Sequence, residues 1–163
     1  MGEGVRIVGG YAFNGCDILA TINLDETQLV TIERVAFADV TLPKSCNFIG
    51  DNVFGSSGVV TVRILGNVTD LHGSTFLGCS SLKSVWIPVS VKNIAKDAFG
   101  SFSAGGDITL DIYYSGTEEQ YNAINLTNSS WDFSSALKPS GDKRHVYYNQ
   151  DFDALLEAEK NPA

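Results

Sequence analysis

The chain has 163 residues, of which 44% are hydrophobic, 10% aromatic and 18% charged, the composition of a folded domain rather than a disordered segment. Nineteen acidic residues against 11 basic ones give a formal charge of −8, and no basic cluster larger than Lys143–Arg144 offsets it, so a polyanionic nucleic acid is excluded as a partner. No stretch approaches the roughly 18 consecutive apolar residues of a membrane span, so membrane insertion is not expected.

The first ten residues, MGEGVRIVGG, lack the positive start and continuous apolar run of a signal peptide. The expectation is a protein used without its own export signal, or a piece of a longer exported one. Localisation stays open on this reading: cell surface in the second case, virion or cytoplasm otherwise.

From Val5 onward the chain repeats itself. Five phenylalanines, Phe13, Phe37, Phe54, Phe76 and Phe99, stand in similar contexts at spacings of 24, 17, 22 and 23 residues. Counting back from each, Val40, Leu42, Cys46, Ile49 and Phe54 align with Val62, Ile64, Val68, Leu71 and Phe76. Both sets align with Val85, Ile87, Val91, Ile94 and Phe99 without a gap. Ile22, Leu24, Leu29, Ile32 and Phe37 fit with one extra residue, and Val5, Val8 and Phe13 supply the end of a unit whose beginning is missing. Each unit thus offers a short strand with two inward apolar residues flanking an outward one, then a turn and further inward residues. One unit cannot bury its apolar side alone, so units stack on a shared core. The fold class expected is a mainly β repeat solenoid with short turns and helices.

This register places the three cysteines. Cys16 and Cys79 share a column three units apart, and strands stack about 4.8 Å from one another. A separation of about 14 Å is well beyond the ~7 Å Cα limit of a disulfide. Cys46 falls in a column otherwise filled by valine. All three are expected as small buried hydrophobes.

Strand alternation also nominates a surface. If Val85 and Ile87 point inward, Trp86 points outward. The outward column is then Asn23, Thr41, Arg63, Trp86 and, at the last strand, Asp111. Arginine and tryptophan are frequent interface anchors, and the same pair on adjacent strands can equally stack as a cation–π contact with no further role.

Past the repeats, Thr117-Glu118-Glu119-Gln120 reads as a capping box opening a short helix to about Ile124. With Trp131, Phe133 and a strand at Val146–Tyr148 it forms the expected lid over one end of the core. In the last stretch, DFDALLEAEKNPA, Phe152, Leu155 and Leu156 have helical spacing. That segment is expected either as a frayed, solvated tail or as a peptide that docks on a neighbour.

The run Phe76-Leu77-Gly78-Cys79 followed by Val85 to Phe99 (VWIPVSVKNIAKDAF) resembles the BspA-like leucine-rich repeat. The segment from Ile112 to Ile124 is similar to that family's closing unit, and His145 to Asn149 to its last strand. The resemblance implies a right-handed solenoid used for binding and no catalytic residues to carry over. It divides the chain into repeats over residues 1–111 (about four to five units, the first incomplete), a capping unit over 112–149 and an acidic tail over 150–163.

Catalytic chemistry has little to stand on. The histidines, His72 and His145, lie in unlike contexts, and no metal-binding, nucleophile-elbow or phosphate-loop motif occurs. Glu118 and Glu119 are adjacent on a helix and suit its dipole better than acid/base work. The expectation is a protein that is not an enzyme and takes no cofactor or metal, and that binds a protein or glycan through the outward column. The alternative is an architectural subunit, such as a virion accessory or fibre component. The incomplete first unit suggests an open edge near Val5 and Val8 that, with the tail, contacts another subunit, making a homo-oligomer or part of a larger assembly the expected state.

Overall fold

In the computed structural model, residues 7–8, 21–23, 31–32, 39–55, 57–79, 81–95, 98–99, 109–127 and 144–161 are described. Phe13, Cys16, Leu24, Leu29, Phe37, Trp131 and Phe133 lie outside them. Among the described residues every strand pairing is parallel, as a chain that repeats the same short strands in each unit requires: each unit returns to the same side and lays its strands beside those of the previous one.

Six strands form the central sheet. These are β2 (Thr21–Asn23), β4 (Asp39–Leu42), β6 (Thr61–Ile64), β8 (Ser84–Ile87), β10 (Leu110–Tyr114) and β12 (Arg144–Tyr147), in the order β12-β10-β8-β6-β4-β2. The register is the one the repeat alignment dictates: Ile22 pairs with Val40, Val40 with Val62, Val62 with Val85 and Val85 with Ile112. Two smaller sheets carry the second strand of each unit. One joins β1 (Ile7–Val8), β3 (Thr31–Ile32) and β5 (Phe48–Ile49); the other joins β7 (Asp70–Leu71), β9 (Asn93–Ala95) and β11 (Asn125–Thr127). Ile32 pairs with Ile49, and Leu71 with Ile94, which in turn pairs with Leu126.

The strands are short because proline or glycine ends them. Pro43 follows β4 and Pro88 follows β8; neither can donate to the ladder. Each instead accepts from three residues on, Cys46 N–H to Pro43 O at 2.9 Å and Val91 N–H to Pro88 O at 3.0 Å. In the intervening unit the same bend holds Gly66, where a side chain would collide with the backbone carbonyls of Cys46 and Pro43.

The core runs along the stack. Val40, Leu42, Cys46, Ile49 and Phe54, then Val62, Ile64, Val68, Leu71 and Phe76, then Val85, Ile87, Val91, Ile94 and Phe99 are all buried. Phe54, Phe76 and Phe99 form a ladder with centroids 5.4 and 4.9 Å apart and planes within 6° and 21° of parallel. Main-chain bonds tie these corners together: Phe54 N–H donates to Thr75 O and Phe76 N–H to Ala98 O. The Cys46 thiol donates to Phe48 O, and the Cys79 thiol to Phe54 O at 2.8 Å. Burial pushes the Cys46 thiol pKa up, partly countered by that backbone bond. On the face of the small sheet a polar ladder replaces the apolar one: Asn93 donates to Asp70, and Asn125 to Asn93.

Helix α1 (Glu118–Asn122) opens with the capping box read from sequence. The Thr117 hydroxyl accepts from Gln120 N–H, and the Gln120 side chain accepts from Thr117 N–H. The helix ends at Asn122 with Ala123 as its cap, just before Ile124. It buries Tyr121, whose ring meets Tyr114 and Tyr148 edge-on at 5.2 and 5.7 Å. The last element, α2 (Phe152–Lys160), returns across the molecule.

Candidate partner-binding face

The outward face of the central sheet is set by the pleat. Since Val62, Val85 and Ile112 are buried on one side, Arg63, Trp86 and Tyr113 must emerge on the other. Cross-strand pairing joins Asn23 to Thr41, Thr41 to Arg63, Arg63 to Trp86, Trp86 to Tyr113 and Tyr113 to Tyr147. The Arg63 guanidinium carbon lies 5.2 Å from the Trp86 ring centroid, within cation–π range. Trp86 meets Tyr113 at 5.9 Å and 52°, and Tyr113 stacks on Tyr147 at 5.0 Å and 18°. One face therefore carries a cation followed by three aromatic rings.

Two sequence expectations need correcting. Asp111 is not the neighbour of Trp86: it pairs with Ser84 and with His145, two residues earlier along the strands. It faces outward all the same, its carboxylate 3.1 Å from His145 Nδ1. The residues beside Trp86 are Tyr113 and Tyr147, which the sequence reading passed over. The parallel between Ile112-Tyr113-Tyr114 and Val146-Tyr147-Tyr148 was the signal that could have found them. The second correction concerns exposure. Trp86 does emerge on the outward face, but it is only 3% accessible, because α2 lies over it.

The tail that covers it is built by simple rules. Asn149, with φ 56°, takes the left-handed conformation that asparagine tolerates and reverses the chain after β12. Asn149 N–H then donates to Gly116 O, and Gln150 N–H to Tyr114 O, fastening the reversal to the sheet. Asp151 caps α2, its carboxylate accepting from Asp153 and Ala154 N–H. Nine helical residues rise about 13.5 Å, and a four-residue strand about 13 Å; helix and strand lengths match.

Phe152 packs on Trp86, ring centroids 5.2 Å apart at 35°. Near the far end, Glu159 accepts from Arg63 at 2.9 Å, and near the start Lys44 donates to Asp153 at 2.8 Å. Leu155, Ala158 and Glu159 line a cleft of about 310 Å³ against Thr61, Arg63, Ser84, Trp86 and Tyr113. Leu156 is half-buried. The Tyr113 hydroxyl has its pKa raised, first by burial and then by the negative charges of Asp111 and Glu159 and by Tyr147.

The two groups of candidates named from sequence, the outward column and the tail residues Phe152 and Leu155, thus meet each other. Thr41 is half-buried in β4. Asn23 and Val8 fall in β2 and β1, and Val5 lies outside the described residues. Among the described residues no three His, Cys, Asp or Glu side chains gather as a metal site, and no helix is long and apolar enough to cross a membrane.

Parallel strands recurring at a fixed spacing, with an aromatic ladder inside and a ridged face outside, define a repeat protein. The family model for the BspA type leucine rich repeat region matches residues 1–101 in six copies; the chain belongs to that family. Its repeats are commonly protein-binding or adhesion modules. Neither the curated proteins nor the solved structures contain a match to the chain.

Proposed function

We propose that this chain is a non-enzymatic binding module, a right-handed repeat solenoid that recognises a protein partner through the outward face of its central sheet. The observation that carries this reading is the row Arg63–Trp86–Tyr113–Tyr147. Aromatic and arginine side chains dominate the energetics of interfaces because they bring large rigid area together with a directional polar group. The core needs none of them, since the opposite side of every strand already supplies it. Family membership supports the same class of function. A row of this kind on a sheet with no partner would be a solubility cost; here it holds a peptide segment already.

The test is selection of displayed peptides on the full chain, followed by measurement of the winners against Arg63→Ala and Tyr147→Ala variants with unchanged thermal unfolding. The expected result is at least a tenfold loss of affinity on one of the two. Binders indifferent to both would overturn the assignment of the face.

A further inference from the structure

We infer that the face around Arg63 and Trp86 is a receptor for an acidic amphipathic helix, that α2 is its intramolecular occupant, and that a partner helix of the same chemistry takes its place. This rests on the binding-module reading and names the kind of partner. Three features of the docked helix define the ligand. An aromatic ring at one position (Phe152) stacks on Trp86. An aliphatic residue three positions on (Leu155) faces the sheet and lines a cleft with Thr61, Arg63 and Trp86. A carboxylate four further on (Glu159) closes on Arg63. Spacings of three and seven put all three on one helix face.

Charge agrees with this. The chain as a whole carries 19 acids and 11 bases, so a surface that holds acidic peptide has to concentrate what bases there are. Arg63 and Lys44 both reach α2, and both pair with its carboxylates. An acidic helix gains ion pairs at this face.

The occupant is also held in a way that permits exchange. No residue of α2 is fully buried, and one of its ion pairs, Lys44–Asp153, is about two-thirds exposed on both sides, a geometry that contributes little. A nine-residue helix is below the length that persists alone in water, so α2 is helical because it is docked. By contrast, the bonds that fasten Asn149 and Gln150 precede the helix, so α2 can leave while β12 and the turn stay in place. A helix released from a short tether competes at an effective concentration in the millimolar range. A docking preference of tenfold or more then corresponds to a free-peptide dissociation constant at or below about 0.1 mM.

The experiment uses the full chain carrying Phe152→Asp and Leu155→Asp, which undocks the tail without touching the core, and a fluorescent synthetic peptide of residues 150–163. Saturable binding to this variant is expected, at least tenfold weaker on the unaltered chain, where α2 occupies the site. Adding Arg63→Glu to the undocked variant should cut peptide affinity at least tenfold, and a scrambled peptide of identical composition should not bind. Absence of binding to the undocked variant up to 1 mM peptide (about ten times the constant above), or equal binding of the scrambled peptide, overturns the inference. The broader reading is tested separately: peptides of other chemistry selected on the face and dependent on Arg63 would leave it standing while removing the acidic helix as its ligand.

Discussion

Phe152 lies on Trp86 with ring centroids 5.2 Å apart, so the last element of the chain closes the most aromatic part of its widest sheet. The contact joins residues 66 positions apart that belong to different kinds of structure, one from a repeat and one from the segment after the repeats. It makes the exposure of the face depend on the conformation of a single short helix.

Removing that contact should release the helix and leave the fold standing. In Phe152→Ala, with Trp131→Phe added so that the emission belongs to Trp86, the indole is expected to shift its emission to the red and become accessible to iodide. The main unfolding transition should move little, because α2 contributes no fully buried residue. A Trp86 that stays shielded in this variant would show that Phe152 is not what holds α2 in place.

The core responds differently. Phe76 lies between Phe54 and Phe99 in the aromatic ladder and is fully buried. Its truncation removes stacking with both neighbours and leaves a void that adjacent units cannot close without shifting register. Phe76→Ala is expected to destabilise the chain by about 3–5 kcal/mol, read from urea unfolding. A loss below about 1 kcal/mol would mean that the ladder is loosely packed.

How much of this was legible in the sequence depends on how far each contact reaches. Val40, Val62 and Val85 recur at a nearly constant spacing, and a periodic chain stacks like on like, so their pairing could be read directly. Phe54, Phe76 and Phe99 followed for the same reason. Asp111 was misassigned because residues two apart on a strand emerge on the same face. Only the pairing of β10 with β8 distinguishes it from Tyr113, and no aligned repeat residue marks the stretch between Phe99 and Leu110. The tail is the opposite case. Its Phe152, Leu155 and Leu156 announced a helix with one apolar side, but the surface that side meets lies in another unit, and no local pattern encodes a contact of that range. Arg63, Trp86 and the apolar side of the tail were visible; Tyr113, Tyr147 and the meeting of sheet and tail were not.

The thiols offer a check on register. Cys46 and Cys79 are buried and bonded to main-chain carbonyls. Burial raises the Cys46 pKa above the ordinary thiol value of 9.0. A folded pKa above the unfolded one means the neutral thiol is favoured by folding, so its contribution is full below the unfolded value and is lost as pH rises through the folded one. In the pre-reduced native chain at pH 8, neither thiol should react with a water-soluble disulfide reagent on the timescale of seconds, while both react at once in denaturant. Fast native labelling of Cys46 would place that column at the surface.

The last prediction concerns Arg63 and Glu159, whose side chains are 15% and 46% accessible. A pair fully in water contributes between nothing and about 1 kcal/mol, and a fully buried one can cost more to desolvate than it returns. This pair lies between: Arg63 is covered by the helix it holds, and its guanidinium also lies over the Trp86 ring, so one ordered side chain serves both contacts. Its Nε is buried without a hydrogen-bond partner among the described residues, which subtracts from the gain. A double-mutant cycle with Arg63→Ala, Glu159→Ala and both should therefore give a coupling of about 0.5–1 kcal/mol in the opening free energy of α2, measured by hydrogen exchange of its amides. Arg63→Ala alone should cost more than Glu159→Ala, since it also removes the cover of Trp86. Raising the salt from 0.05 to 0.5 M should shrink the coupling, because the Debye length falls to roughly 4 Å and one partner is half in solvent. Additive single mutants at low salt would show that the Arg63–Glu159 pair does not hold the helix, and would leave its attachment to the packing of Phe152 on Trp86 and the exposed Lys44–Asp153 pair.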